Sequence, residues 1–172
     1  LGGFWESMFV QRQVGSTSDG MPGFDYGAVT GSGTYIYAQS DDMYSVGLNV
    51  NAHLAFFLSS LGSGVLVQTP VFAVARIGAN STNYNESTLG AGLGLGLNLS
   101  YLNDSRYNRF GYNTTSFFIA SPAVMGEISF SLNGMVTTVR CHFDLLRTSA
   151  THLGERVYFR NVGLGLLYTI EW

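Results

Sequence analysis

The sequence predicts an all-β chain of eight antiparallel strands, closed up-and-down into a barrel that crosses a membrane with its apolar face outward. Three observations predict it. Residues 162–172 alternate large apolar with small or polar side chains. Residues 89–101 repeat that alternation with glycine on most of the second face. Only 11% of the residues are charged while 46% are hydrophobic, against about a quarter charged in ordinary soluble domains.

The elements follow in chain order. Strands are drawn at residues 4–13, 27–39 and 65–77, where the alternation is mixed and the faces stay open; Pro70, which has no N–H to give a ladder, points to a bulge or a local break in pairing. At residues 44–58 the pattern is clean. Tyr44, Val46, Leu48, Val50, Ala52, Leu54, Phe56 and Leu58 share one face, and Ser45, Gly47, Asn49, Asn51, His53, Ala55 and Phe57 lie on the other. Side chains alternate faces along a strand, so a period of two excludes a helix.

Between residues 89 and 101, Leu89, Ala91, Leu93, Leu95, Leu97, Leu99 and Tyr101 oppose Gly90, Gly92, Gly94, Gly96, Asn98 and Ser100. Next comes Asn133-Gly134, the dipeptide of a two-residue type I′ hairpin. Pairing Leu132 with Met135 sets Phe130 opposite Thr137, Ile128 opposite Val139 and Gly126 opposite Cys141. The other face receives Ser129 with Thr138 and Glu127 with Arg140, an opposite-charge pair. The last strand carries Val162, Leu164, Leu166, Tyr168, Ile170 and Trp172 on its apolar face. Turn-rich stretches at residues 15–24, 40–42, 59–64, 79–86, 103–114 and 148–154 separate the strands, and the chain reads as one domain over residues 1–172.

A soluble barrel alternates too, so the weaker face decides which side meets solvent. Glycine at 90, 92, 94 and 96 would leave bare backbone on a water-facing surface that needs charge. Turned inward, small and polar groups suit the lumen of a narrow eight-stranded barrel, while leucine meets lipid. The alternatives are a secreted β-rich domain and a filament subunit whose neighbours cover the apolar face.

Other features exclude function classes. All eight basic residues are arginine, the net charge is −3, and no basic stripe offers itself to nucleic acid. Cys141 is alone, which excludes an internal disulfide and gives no metal motif. No cofactor motif occurs. No run of 18 apolar residues exists, so a transmembrane helix is excluded. The first residue is Leu and no signal-peptide pattern is present, the expectation for a mature chain. The Asn-x-Ser/Thr sequons at Asn80, Asn85, Asn98, Asn103 and Asn113 read as chance in an Asn-rich chain, Asn98 being on the small face of a strand.

The last strand resembles the assembly signal of Gram-negative outer-membrane proteins: a terminal aromatic, Trp172, with Ile170, Tyr168, Leu166 and Leu164 at alternate positions inward. In size, strand count and pattern the chain is similar to the small eight-stranded barrels that include the OmpA membrane domain, OmpX and OmpW. The resemblance implies an outer-membrane location, periplasmic termini and a tight periplasmic turn at Asn133-Gly134. It also implies contact with outer-membrane lipid, lipopolysaccharide and the barrel assembly machinery, with other envelope proteins as further partners. One departure is the length of the turn at residues 79–86, on the side where such barrels have short ones.

Glu127, Arg140, His142, Asp144 and Glu171, with Asn161, are read as an interior polar network, because charge in a narrow lumen must be paired. The stretch with Arg106, Tyr107, Arg109, Phe110 and Tyr112 reads as an extracellular loop suited to a partner, a glycan or lipopolysaccharide phosphate, or as an ordinary solvated loop. No catalytic residue is assigned. Some barrels of this group are lipid A-modifying enzymes, which would draw on His53, His142 or His152, yet none stands in a Ser/His/acid pattern. A narrow ion or small-solute channel through the same interior residues is the remaining alternative. The expectation is therefore a non-catalytic outer-membrane barrel with a structural or binding role.

Overall fold

A computed structural model describes residues 2–14, 17–20, 24–40, 43–59, 62–81, 87–108, 111–132, 135–152 and 155–170. Its strands are β1 (Gly2–Val14), β2 (Thr17–Gly20), β3 (Phe24–Ser40), β4 (Tyr44–Ser59) and β5 (Gly62–Gly78), then β6 (Leu89–Asn108), β7 (Gly111–Leu132), β8 (Met135–Asp144), β9 (Thr148–His152) and β10 (Glu155–Ile170). They form one antiparallel sheet that closes by pairing β1 with β10. β2 and β3 succeed one another along β1, and β9 and β8 along β10, so the wall has eight staves.

The registers fix the barrel's shape. From Glu127, paired residues lead round the wall through Arg140, Gly165, Phe4, Ala28, Ala55, Leu66 and Leu102. The circuit returns to β7 at Phe117, ten residues from where it began. A shear of that size over eight staves gives a strand tilt of roughly 40° and a backbone radius of about 8 Å. Such a bore is filled by side chains.

The outside is apolar. On β6, Leu93 is 74% and Leu95 65% exposed, while Gly92, Gly94, Asn98 and Ser100 point inward. β4 turns Val46, Val50, Leu54 and Phe56 out and Ser45, Asn49, Asn51 and His53 in, and β10 turns Val162, Leu164, Leu166 and Tyr168 out and Asn161 in. Aromatic side chains bracket this belt. Tyr101 pairs with Phe118 toward one end, and Phe130 pairs with Leu89 toward the other. Twelve residues separate Leu89 from Tyr101 along β6; at ~3.3 Å per residue and roughly 40° tilt that is about 30 Å, the thickness of a bilayer's hydrocarbon core. This inside-out distribution makes the fold a transmembrane β-barrel.

The first and last described residues, Gly2 and Ile170, lie at one end, the near end. The turn from β5 to β6 is there too, and it is long, as the sequence suggests. Gly78 (φ 69°) and Asn80 (φ 68°) adopt left-handed backbone. Ser81 N–H donates to Gly78 O at 3.0 Å, and Asn80 Nδ2 reaches Thr138 Oγ1 on β8 at 3.3 Å. The described start of the turn, residues 79–81, is thus folded against the barrel mouth, with Ala79 and Ser81 buried. At the same end, β3 from Gly31 onward pairs with β4 alone among the described residues, and the inward Ser32 and Thr34 are exposed.

Several expected loops are strands. Residues 103–114 continue β6 to Asn108 and begin β7 at Gly111; Thr148–His152 is β9, Thr17–Gly20 is β2, and β5 starts at Gly62. The reason is physical: hairpins that rise above a bilayer have water on both faces, so they keep the ladder without any apolar alternation to announce it. Arg106, Tyr107 and Tyr112 therefore sit on strands rather than in a loop, while Arg109 and Phe110 lie outside the described residues. Pro70 gives no register shift. The β4 ladder resumes in the same register on either side of it, and Asn51 Nδ2 donates to Pro70 O at 3.4 Å.

Candidate functional site

The site is the lumen. Asn133-Gly134 itself lies outside the described residues, but its flanking strands pair Leu132 with Met135, and Glu127 stands opposite Arg140. A third strand joins them. Arg76 on β5 faces Gly92 on β6, and Gly92 faces Glu127 on β7. With no side chain at 92, Arg76 and Glu127 meet across β6; a Cβ there would stand 2.7 Å from Glu127 Oε1 and 3.1 Å from Arg76 Cγ.

Glu127 is held from both sides. Arg140 donates to Oε2 from Nε at 2.9 Å and Nη2 at 2.7 Å, and Arg76 Nε donates to Oε1. The outer guanidinium nitrogens are engaged as well. Arg76 Nη1 donates to Thr34 Oγ1 at 2.7 Å, and Arg140 Nη1 to Ser32 Oγ at 3.1 Å and to Asn51 Oδ1. Asn51 Nδ2 donates to Asn49 Oδ1 at 2.8 Å, and Asn49 Nδ2 to Thr34 Oγ1 at 2.8 Å, which links the cluster to β3 and β4. Such charges are tolerable in a buried place because each has its counter-charge and its hydrogen bonds.

Farther from the near end the chemistry changes. Phe72, Val74, Ala123 and Met125 pack together over Gly94 and Gly96. His53 and His142 are buried with ring centroids 5.8 Å apart. Asp144, fully buried, accepts from Asn98 Nδ2 at 3.2 Å and from the Asn161 main-chain N–H at 2.9 Å. Beyond them Ala28, Ala55, Leu66, Leu102, Ile119 and Phe159 are all buried, and Phe117 lies 5.3 Å from the Phe159 ring. The lumen is thus not filled by small and polar groups alone: large apolar side chains seal its far half.

Of the residues singled out in the sequence, Glu127, Arg140, His142, Asp144 and Asn161 face the lumen. Glu171 and Trp172 lie outside the described residues, as do the side chains of Ile170 and His152. Leu164, Leu166 and Tyr168 face outward on β10. Arg76 is the residue that sequence reasoning missed. The signal for it was the glycine face of β6, which requires long side chains from both neighbours to cover it.

Among the described residues no group of three or more His, Cys, Asp and Glu is placed to hold a metal ion. No protein-family model matches the chain, and no curated protein matches it. Solved structures with a similar strand path include Ail, the attachment invasion locus protein of Yersinia pestis, at 15% identity, 96% of this chain, 97% of that one and a TM-score of 0.43. Ail has also been solved with the heparin analogue sucrose octasulfate. Neisserial surface protein A matches at 9% identity over 99% of this chain and 96% of that one, with a TM-score of 0.45. The N-terminal β-barrel domain of Pseudomonas aeruginosa OprF matches at 13% identity over 96% of this chain and 99% of that one, with a TM-score of 0.41.

Proposed function

We propose that the chain is a non-catalytic barrel of the Gram-negative outer membrane, one domain, filled rather than hollow, that acts through its far end. The observation that carries this reading is the pairing of an apolar belt with a lumen closed by side chains. Glu127 is clamped by Arg76 and Arg140 in one half, and Leu66, Leu102, Ile119 and Phe159 meet in the other. A wall of radius about 8 Å leaves little space for solute once these are in place.

The far end then offers the surface for partners. The β6–β7 hairpin carries Arg106, Tyr107 and Tyr112, and this stretch of sequence, with Arg109 and Phe110, combines guanidinium and aromatic groups suited to lipopolysaccharide phosphate or to another envelope protein. Leu164, Leu166, Tyr168, Ile170 and Trp172 would serve the assembly machinery as the closing strand. Lipid A chemistry is disfavoured by position: His53 and His142 face the lumen, away from the acyl chains such an enzyme must reach.

Reconstitution in planar bilayers tests the reading against a channel. The folded protein, confirmed by its altered gel migration before boiling, is expected to show no conductance, and Glu127→Gln to be equally silent. Discrete conductance steps from the wild-type chain would overturn it.

A further inference from the structure

Asn161 has a polar side chain that the protein leaves unanswered. It is 0% exposed, and among the described residues neither Nδ2 nor Oδ1 has a hydrogen-bond partner. Its main-chain N–H donates to Asp144 Oδ2 at 2.9 Å. Buried carboxamides in native proteins are nearly always paired, and where side chains do not supply the partner, an ordered water does.

The surroundings suit solvent. Asp144 also accepts from Asn98 Nδ2 at 3.2 Å, and Ser100 Oγ donates to Asn98 Oδ1 at 3.4 Å; all of these side chains are buried. This polar level lies between the Arg76–Glu127–Arg140 clamp and the apolar seal of Leu66, Ile119 and Phe159.

We infer that the Asn161 side chain holds ordered water at the level of Asp144, accepting from Nδ2 and donating to Oδ1. The unmet groups select the ligand. A cation answers Oδ1 but leaves Nδ2 bare. An anion answers Nδ2, leaves Oδ1 bare and is set beside a carboxylate. Water alone both donates and accepts. The water is part of the filling: it completes a level that neither the ion pairs nor the apolar side chains reach. The site depends on the lumen's packing and stands apart from any role of the far end.

Solution NMR on the ¹⁵N-labelled protein folded in detergent micelles tests this directly. The Asn161 side-chain NH₂, identified by its disappearance in Asn161→Ala, is expected to show a cross-peak to water with the sign of a bound, slowly tumbling molecule. Should Asn161→Ala not fold, through-bond assignment of the wild-type resonance replaces it. An Asn161 NH₂ with contacts to protein protons and none to water would overturn the inference.

Discussion

Near the chain termini, Arg76, Glu127 and Arg140 fill the lumen by satisfying one another; toward the far end, Leu66, Leu102, Ile119 and Phe159 fill the same bore with no polar side-chain atom. Wall, shear and radius are common to both halves. The difference teaches what a narrow membrane barrel demands of its interior. Its hydrophobic surface is already placed outside, in lipid, so the inside has to be occupied and electrically satisfied, and either chemistry will serve. The two halves differ in what they cannot tolerate: the ionic half the loss of a charge, the apolar half a change of volume.

The largest expected effect breaks the ionic half. Glu127→Gln leaves two buried guanidinium groups facing a neutral amide, and should lower unfolding free energy by about 3–5 kcal/mol. Ile119→Leu in the apolar half conserves volume and should cost less than about 1.5 kcal/mol. Urea unfolding in lipid vesicles, followed by tryptophan fluorescence, compares the two. Equal costs would erase the distinction between the halves.

A smaller effect sharpens the account of the glycine face. Gly92→Ala pushes a methyl against Glu127 Cγ at 2.8 Å, an atom held by the clamp, and should cost about 1–3 kcal/mol in the same assay. Gly126→Ala, on the outer face, meets Cys141 Sγ at 3.5 Å and Leu93 Cδ2 at 4.0 Å, both ordinary contacts, and should stay within about 0.5 kcal/mol. If Gly92→Ala is as mild as Gly126→Ala, the glycine at 92 is not there to let Arg76 and Glu127 meet.

The same contrast explains what the sequence disclosed. Over residues 45–53 of β4, 90–100 of β6 and 161–165 of β10 the lumen face is small or polar, so it stands out against the outer leucines and valines, and both the strands and their faces are legible there. The Asn133-Gly134 turn then carried the register to the Glu127–Arg140 pair. On β5 the period-two signal fails, because Leu66, Phe72 and Val74 fill the lumen while Val67, Val71 and Ala75 face lipid. Arg76 was concealed on that strand, apolar on both faces. The far-end β6–β7 hairpin was hidden for the opposite reason: the sequence around Asp104, Arg106 and Asn113 has no apolar alternation, and composition there resembles a loop. Asn161 was legible as a lumen residue, but its unpaired carboxamide is a property of packing alone.

The central claim is that the leucine and valine face meets lipid. Cys141, the sole cysteine, lies on that face, exposed on β8 and paired with Gly126 and Leu164. A nitroxide attached there, in protein reconstituted into lipid vesicles, reports its surroundings through relaxation by molecular oxygen, which concentrates in lipid, and by a nickel chelate, which stays in water. The account predicts relaxation dominated by oxygen, with the chelate nearly without effect. Relaxation dominated by the chelate would place this face in water and contradict it.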